Sequence, residues 1–405
     1  MPDVRSVSVG FWVGTGSRDE SDQRAGASHF LEHLLFKGTP SRSASDIAEA
    51  LDEVGGDFNA FTTKEYTTFY IRLLAEHLPL GLDILSDIMW DPALRPEDID
   101  AERSVILDEI LMHADEPADL VGELWTAALF PEHPLGRDTL GTAKSVRATS
   151  AEDIREFFAH HYRPGNMVVS VAGAISHDEV VEAVGERMGP DAGGGPPGRA
   201  APATPSRPLT VVRRPTEQVH LILGSRSVSR FSEDRWAIAV LNHVLGGGLS
   251  SRLFQKIREQ RGLAYSVWSE RSSFSDTGTM AVMVGTAPEH VDEVLRIAVG
   301  ELELLATQGI TPRELAIAHG NLRAETLLSG EDSGARMSRL GASLLLHDEV
   351  RTVDEVLRRI EAVDLADVQR VAEQLAAAPR TLAAIGPFDE EAFDSAALGL
   401  AVPVA

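Results

Sequence analysis

The sequence has no cysteine among its 405 residues. Disulfides, thiol catalysis and thiolate metal ligands are therefore excluded, and any metal site must be built from His, Asp or Glu. Basic residues are also scarce, because 37 Lys and Arg stand against 62 Asp and Glu, a net charge of −25. Nucleic acids and anionic membranes are bound through basic patches, so a chain this acidic predicts neither as a partner.

Long apolar runs are missing as well. No stretch approaches the roughly 18 apolar residues that a membrane-spanning helix needs. The first residues, MPDVRSVSVG, lack the basic start, long apolar core and cleavage site of a signal peptide. We therefore expect a cytoplasmic protein. Apolar residues still make up 43% of the chain, enough for a buried core.

A Gly- and Pro-rich segment divides the chain. Residues 189–208, GPDAGGGPPGRAAPATPSRP, show no hydrophobic period, which predicts an extended linker. We accordingly predict an N-terminal domain of residues 1–188 and a C-terminal domain of residues 209–405. At roughly 150 residues per domain, the length allows two large domains of this kind.

The two predicted domains repeat one order of elements: strand, His-containing helix, strand, helix and Pro-started helix. The matching segments are 5–14 with 218–227, 28–36 with 239–247, 61–74 with 278–287, 76–85 with 289–298, and 95–110 with 311–327. This order predicts an α+β fold with two similar domains related by internal duplication. Each would be an antiparallel sheet with helices packed mainly on one face. The alternative is that any two α+β domains look alike at this level.

The clearest chemical motif is His29-Phe30-Leu31-Glu32-His33. Residues i and i+4 of a helix lie on the same face, so both imidazoles can bind one ion. Zinc suits a site without cysteine, and a catalytic zinc takes three protein ligands plus water. The pattern is the reverse of the commoner H-E-x-x-H. The alternative is a pair of core histidines, but burying three polar side chains without a metal is costly.

A carboxylate on another element should complete the site. Glu102 and Glu109 lie seven residues apart on the predicted helix 95–110, and so on one face. Glu109 sits among apolar residues, and Glu102 is a candidate for a supporting position. A solvated acidic helix face remains the alternative for either residue.

The C-terminal domain has no metal motif but contains SSRLFQKIREQRGLAYSVWSE at 250–270. We predict a helix through about Gln260, a cap at Gly262 and then a strand. Arg258 is a suitable donor to a peptide carbonyl, and the Tyr265 hydroxyl is suited to stabilising an oxyanion. The alternative is structural, since Arg is favourable near a helix C-terminus and Tyr is common in strands.

Before the strand predicted at 61–74 comes Asn59-Ala60-Phe61-Thr62. Its alternation fits an edge strand that accepts an extended peptide by strand addition. The alternative is an ordinary strand start after the turn at Gly55-Gly56.

Together these motifs resemble the pitrilysin/insulinase family of zinc metallopeptidases. The resemblance rests on GASHFLEHLLFKGTP, GGDFNAFTTKEYTTFY and ERSVILDEI, with Glu109 76 residues after His33. The chain is most similar to the short-chain branch, which includes mitochondrial processing peptidase and its bacterial relatives. In this family another strand usually precedes the one at 5–14, and this sequence would contain little of it.

The resemblance implies a role for each candidate residue. One zinc per chain would be held by His29, His33 and Glu109, with Glu32 as general base and Glu102 as a supporting acid. Asn59 and the backbone at Ala60, with Phe61 beside them, would contact the substrate strand. Arg258 and Tyr265, seven apart around a Gly, would complete the active site.

The resemblance also implies an assembly and an activity. In short-chain members a partner subunit supplies the Arg and Tyr across a closed chamber, so a homodimer with two composite sites is expected. The expected activity is zinc-dependent cleavage of peptides or unfolded segments. The alternative is a non-catalytic scaffold or partner subunit of a processing-peptidase-like complex. Residues 46–123 hold 20 acidic and 4 basic residues, which favours basic peptides as substrates.

Overall fold

A computed structural model of the chain describes residue 1, residues 3–187 and residues 193–400. Residues 189–192 of the predicted linker lie outside the described residues. The rest of that segment, residues 193–208, forms neither helix nor strand.

The described residues contain the following strands and α-helices. The strands are β1 (Ser6–Val13), β2 (Asp57–Thr62), β3 (Thr67–Leu74), β4 (Met167–Gly173), β5 (Leu209–Arg213), β6 (Val219–Ser227), β7 (Ala264–Ser273), β8 (Gly278–Thr286) and β9 (Thr381–Gly386). The helices are α1 (Ala27–Leu35), α2 (Ala44–Asp52), α3 (Leu78–Trp90), α4 (Pro96–Asp115), α5 (Pro117–Leu129), α6 (Ala143–Ala148), α7 (Ala151–His161), α8 (His177–Gly185), α9 (Arg235–Leu245), α10 (Val291–Gln308), α11 (Pro312–Ser329), α12 (Ser333–His347), α13 (Val353–Glu361) and α14 (Leu365–Ala377).

These elements form two compact units, each built from separate stretches of the chain. The first unit comprises residues 1–111, 137–199 and 327–351. The second comprises residues 112–136, 200–326 and 352–405. Each unit therefore contains one sheet and one segment from the opposite half of the sequence. A division of the chain at the linker does not predict that each unit includes a segment from the other half. The boundaries at 188 and 209 stay a prediction.

The first unit contains an antiparallel sheet of order β2-β3-β1-β4. Successive strand residues point to opposite faces, and β1 is buried on both. Val9 and Phe11 on one face join the core formed with α1, α3 and α7. On the other face Trp12 packs with Met337 of α12, and the Ser8 and Ser333 hydroxyls lie 2.9 Å apart.

The second unit contains a sheet of order β5-β9-β6-β8-β7. Its pairs are antiparallel except that β5 runs parallel to β9 at the edge. One face packs on α9, α10 and α14. On the other, Trp125 of α5 lies in a core with Ile222 and Ala383, and its ring N–H donates to the Thr381 carbonyl over 3.1 Å.

The α+β fold class is confirmed, and β2-β3-β1-β4 matches β7-β8-β6-β9 strand for strand. A single helix, α12 or α5, covers the second face of each sheet, which agrees with helices packed mainly on one face. One detail differs from the expectation, because the segment 61–74 is not one strand but parts of the hairpin β2-β3.

That hairpin escaped prediction because its turn has no Gly, Pro or Asn. The Thr63 side chain instead accepts hydrogen bonds from the backbone N–H groups of Glu65 and Tyr66, over 3.3 and 3.1 Å. Its own hydroxyl donates to the Tyr66 carbonyl. A side chain thus closes the turn in place of the usual turn residues.

Within the described part of the chain, we find no helix with the length and apolar character needed to cross a membrane.

Candidate metal centre

Helix α1 carries the two histidines on one face. Its apolar residues Phe30, Leu31 and Leu34 are buried in the core of the first unit. His29 and His33 lie one turn apart, with ring centres 4.6 Å from each other. His29 is 8% exposed, so the pair sits at the boundary of the core rather than in solvent.

Helix α4 brings Glu109 to the histidines. Its Oε2 lies 3.6 Å from Nε2 of His29 and 3.7 Å from Nε2 of His33. One ligand atom from each of the three residues falls within 4.8 Å of the others. The structure therefore brings together the three residues that the family resemblance implies as ligands, although their role as ligands stays a prediction.

The geometry fits zinc. With Zn–N and Zn–O bonds of about 2.0–2.1 Å and tetrahedral angles, two ligand atoms should lie about 3.3–3.4 Å apart. The two distances to Glu109 are only slightly longer. The Glu109 Oε2 is also shut off from solvent and accepts no hydrogen bond. A buried carboxylate oxygen in that state is costly unless a cation satisfies it.

Glu102 contacts the ring nitrogen of His33 that is not the one near Glu109. Its Oε2 lies 3.0 Å from His33 Nδ1, and its Oε1 contacts the ammonium group of Lys37. Glu102 is only 5% exposed. When Nδ1 donates to this carboxylate, the lone pair of Nε2 faces Glu109 and can bind a metal. Lys37, to which no sequence motif pointed, holds this carboxylate in place through the ion pair.

We predict that Glu102→Ala lowers the zinc affinity by about 10–100-fold, because outer partners orient the ligand ring. Competition with a chromophoric chelator measures the affinity. Glu97→Ala, an exposed position on the same helix, is the control. Equal affinities of the two variants would contradict the orienting role.

Glu32 lies beside the ligands on α1 and is half-buried. Thr62 of β2 donates a hydrogen bond of 2.6 Å to its Oε2. Burial raises the pKa of the Glu32 carboxyl, and the nearby Glu109 charge acts in the same direction, whereas the Thr62 bond and His33 oppose them. A raised carboxyl pKa suits a group that takes up and returns a proton near neutral pH.

The predicted substrate strand is β2, which lies at the edge of its sheet. Asn59 and Phe61 are exposed, whereas Ala60 and Thr62 are less so. The Asn59 side chain accepts a hydrogen bond from the Ala60 N–H over 2.8 Å. Thr62 belongs to the same strand, and nothing in the residues around it predicts its contact with Glu32.

Arg258 and Tyr265 lie together in the second unit. The helix predicted through Gln260 is a π-helical segment, Phe254–Glu259, and Gly262 adopts φ +63° before β7. The Arg258 guanidinium lies 4.4 Å from the centre of the Tyr265 ring and donates to its carbonyl over 3.2 Å. The Tyr265 side chain is 76% exposed, so its hydroxyl is accessible. Their role toward a substrate stays a prediction.

Comparison with known proteins identifies the family. Residues 1–143 match the family model described as insulinase (peptidase family M16), and residues 148–322 match the one described as peptidase M16 inactive domain. An uncharacterized zinc protease of Mycobacterium tuberculosis is 45% identical over 392 residues, covering 96% of this chain and 90% of that protein. The uncharacterized zinc protease YmxG of Bacillus subtilis is 39% identical, covering 95% of this chain and 94% of that protein. The chain belongs to the insulinase family, peptidase family M16.

Solved structures agree with the fold. A protease from Helicobacter pylori superposes with a TM-score of 0.88 at 22% identity, covering 95% of each chain. A protein from Pseudomonas fluorescens, described as a peptidase M16 inactive domain, gives a TM-score of 0.88 at 20% identity, covering 96% of this chain and 94% of that one.

Proposed function

We propose that this protein is a zinc-dependent endopeptidase that holds one zinc ion per chain through His29, His33 and Glu109. The observation that carries the proposal is the convergence of these three side chains around a buried Glu109 oxygen without a hydrogen bond. The relatives described as zinc proteases support the same metal.

Each nearby residue has a part in the proposed reaction. A zinc ion bound at this centre would polarise the scissile carbonyl and lower the pKa of a bound water toward about 7. Glu32 takes a proton from the attacking water and returns it to the leaving amine. Thr62 holds the Glu32 carboxyl in place through its hydroxyl. Glu102 keeps the His33 ring in its binding orientation.

We propose that the substrate binds as an extended strand along β2. An edge strand offers unpaired backbone N–H and C=O groups to a peptide. Asn59, Ala60 and Phe61 would contact it, and Thr62 joins the same strand to Glu32. This arrangement would set the scissile bond near the base.

The proposed assembly is a homodimer that encloses the substrate in a chamber. Each active site would combine the metal centre of one chain with Arg258 and Tyr265 of the other. Two observations support this role: Tyr265 is exposed, so a ligand can reach it, and its ring stacks on Arg258, which keeps the two side chains together. The Arg258 guanidinium and Tyr265 hydroxyl would then stabilise negative charge on the substrate carbonyl.

We further propose a preference for basic peptides. Residues 46–123 contain 20 acidic and 4 basic residues, and they include β2 and the ligand helix α4. A field of one sign raises the local concentration of oppositely charged substrates at low salt.

Hydrolysis of two quenched fluorescent peptides, matched in length and differing in charge, tests the function. We expect cleavage by the zinc-loaded protein, loss of cleavage with a chelator, and recovery when zinc is added. At low salt the basic peptide should be cleaved faster, and salt should reduce the difference. Zinc-replete dimer that cleaves neither peptide, nor any member of a peptide library, would overturn the proposal.

One observation favours a non-catalytic scaffold as the second candidate: residues 148–322 match a domain described as inactive. However, the proposed ligands and Glu32 all lie in residues 1–143, which match the other description. A scaffold needs no base beside a metal, so the presence of Glu32 supports the peptidase.

A further inference from the structure

The N-cap residue of α1 makes no side-chain hydrogen bond to the first turn of the helix. The residue before a helix, the N-cap, is usually Ser, Thr, Asp or Asn, because its side chain accepts a hydrogen bond from a free backbone N–H of the first turn. The residue in that position here is Gly26, with φ +93°. A β-carbon at Gly26 would come within 2.5 Å of the Leu140 carbonyl oxygen. Glycine is thus required there, and it has no side chain with which to cap the helix.

Glu20, six residues before Gly26, supplies the missing acceptors. Its Oε2 accepts from the Gly26 N–H and its Oε1 from the Ser28 N–H, both over 2.7 Å. Glu20 is only 6% exposed. Its own backbone is fixed because Arg137 donates to the Glu20 carbonyl over 2.7 Å.

We propose that Glu20 is a positioning residue of the metal centre, which sets the first turn of α1 and thereby the place of His29. This inference rests on the proposed zinc site and adds a residue that is not one of its three proposed ligands. Ser28 directly precedes His29, so the hydrogen bond to Ser28 fixes the backbone from which that ligand extends.

The length of α1 explains why such an anchor matters. The helix has nine residues, and helices this short have little stability of their own. Both of its ligands must stay aligned with Glu109 on α4. Fraying of the first turn would move His29 while leaving His33 in the second turn. A carboxylate at the N-terminus also interacts favourably with the helix dipole.

The two N–H groups bind separate oxygens, which requires a carboxyl group with both oxygens able to accept. The pKa of Glu20 is raised to about 7, because burial outweighs the hydrogen bonds from Ser28 and Gly26, which lower it. Glutamine keeps the shape but replaces one acceptor with an NH₂ group that faces a backbone N–H. Glu20→Gln therefore removes one bond and adds a donor–donor conflict.

The test measures metal binding in the full-length protein, apart from catalysis. We expect Glu20→Gln to weaken zinc binding about tenfold in chelator competition, similar to other losses of outer support. The visible spectrum of the cobalt-substituted variant should also change. Glu20→Asp, with a shorter reach, should lie between the variant and wild type. If circular dichroism shows that Glu20→Gln does not fold, the zinc affinity of Glu20→Asp tests the proposal instead.

The control is Asp364→Ala, which removes an acidic cap from another helix. Asp364 accepts from the Asp367 N–H over 2.9 Å at the start of α14, which carries none of the proposed ligands. This variant should lose stability and keep its zinc affinity. Wild-type zinc affinity in both Glu20 variants, or an equal loss in Asp364→Ala, would overturn the role of Glu20.

The outcomes separate this inference from the proposed function. If the wild type binds zinc but cleaves no peptide, the peptidase proposal fails, and the zinc affinities still decide on Glu20. If the wild type binds no zinc, the metal centre and the role of Glu20 are both overturned.

Discussion

Replacing Glu32 with glutamine is expected to lower kcat/KM for peptide cleavage by about 10²–10⁴-fold, the usual contribution of a general base. Glutamine cannot take a proton from water, but its amide oxygen can still accept the hydrogen bond from Thr62. His29, His33 and Glu109 are unchanged, so zinc should remain bound. Quenched-peptide kinetics, with the metal content measured on the same sample, would show this separation.

Glu53→Gln is the matched control, since it makes the same chemical change at an exposed position. It should leave both activity and metal content unchanged. Equal rates in Glu32→Gln and wild type would contradict the assignment of the base. Loss of zinc together with activity would instead show that Glu32 stabilises the metal centre.

Co-expression of two inactive variants should restore cleavage if the active site is shared between chains. Glu32→Gln lacks the base but keeps Tyr265, whereas Tyr265→Phe lacks the hydroxyl but keeps Glu32. In a mixed dimer one of the two sites would then be complete. Random pairing makes half of the dimers mixed, so the unfractionated protein should regain about a quarter of the wild-type activity, and the mixed dimers purified by themselves about half of it.

The two variants, with different tags, would be purified together and compared with each variant alone. Doubly tagged dimers without activity would show that each site is built within one chain. A monomer in light scattering at micromolar concentration would contradict the shared site altogether. Co-expressed Glu32→Gln chains with both tags provide the inactive baseline.

The shared helical faces of the candidate metal centre were predictable because each is encoded within one segment of the sequence. His29 and His33 share a helical face through their spacing alone, and Glu102 and Glu109 do so on α4. The contact between the two helices required the family resemblance, since spacing cannot say which helix approaches which. The structure then brings Glu109 within 3.7 Å of both histidines.

The supporting residues could not be predicted, because their contacts join separate segments of the chain. Thr62 reaches Glu32 from a strand 30 residues away, and nothing in its neighbours indicates that contact. Glu20 lies in a loop, where an acidic residue is ordinarily assumed to be solvated, yet it is buried against a helix end. Such roles depend on how segments meet and not on the pattern within either segment.

The sequence also did not predict that α12 packs on the first sheet and α5 on the second. The apolar pattern of α12 shows that one side must be buried, but not which sheet will cover it. Both halves have a sheet with a second apolar face, so the sequence is compatible with either pairing. Met337 beside Trp12 and Trp125 beside Ile222 are the contacts that decide it.

The long separation between β1 and α12 has a consequence for biosynthesis. Ser8 and Ser333 are in contact across 325 residues. At about 5–20 residues per second, roughly 16–65 s pass on the ribosome between the two. During that time the face of the first sheet that carries Trp12 has no helix to cover it. The N-terminal half therefore emerges first but is among the last parts of the fold to be completed, and slower translation lengthens the time for which this face is uncovered.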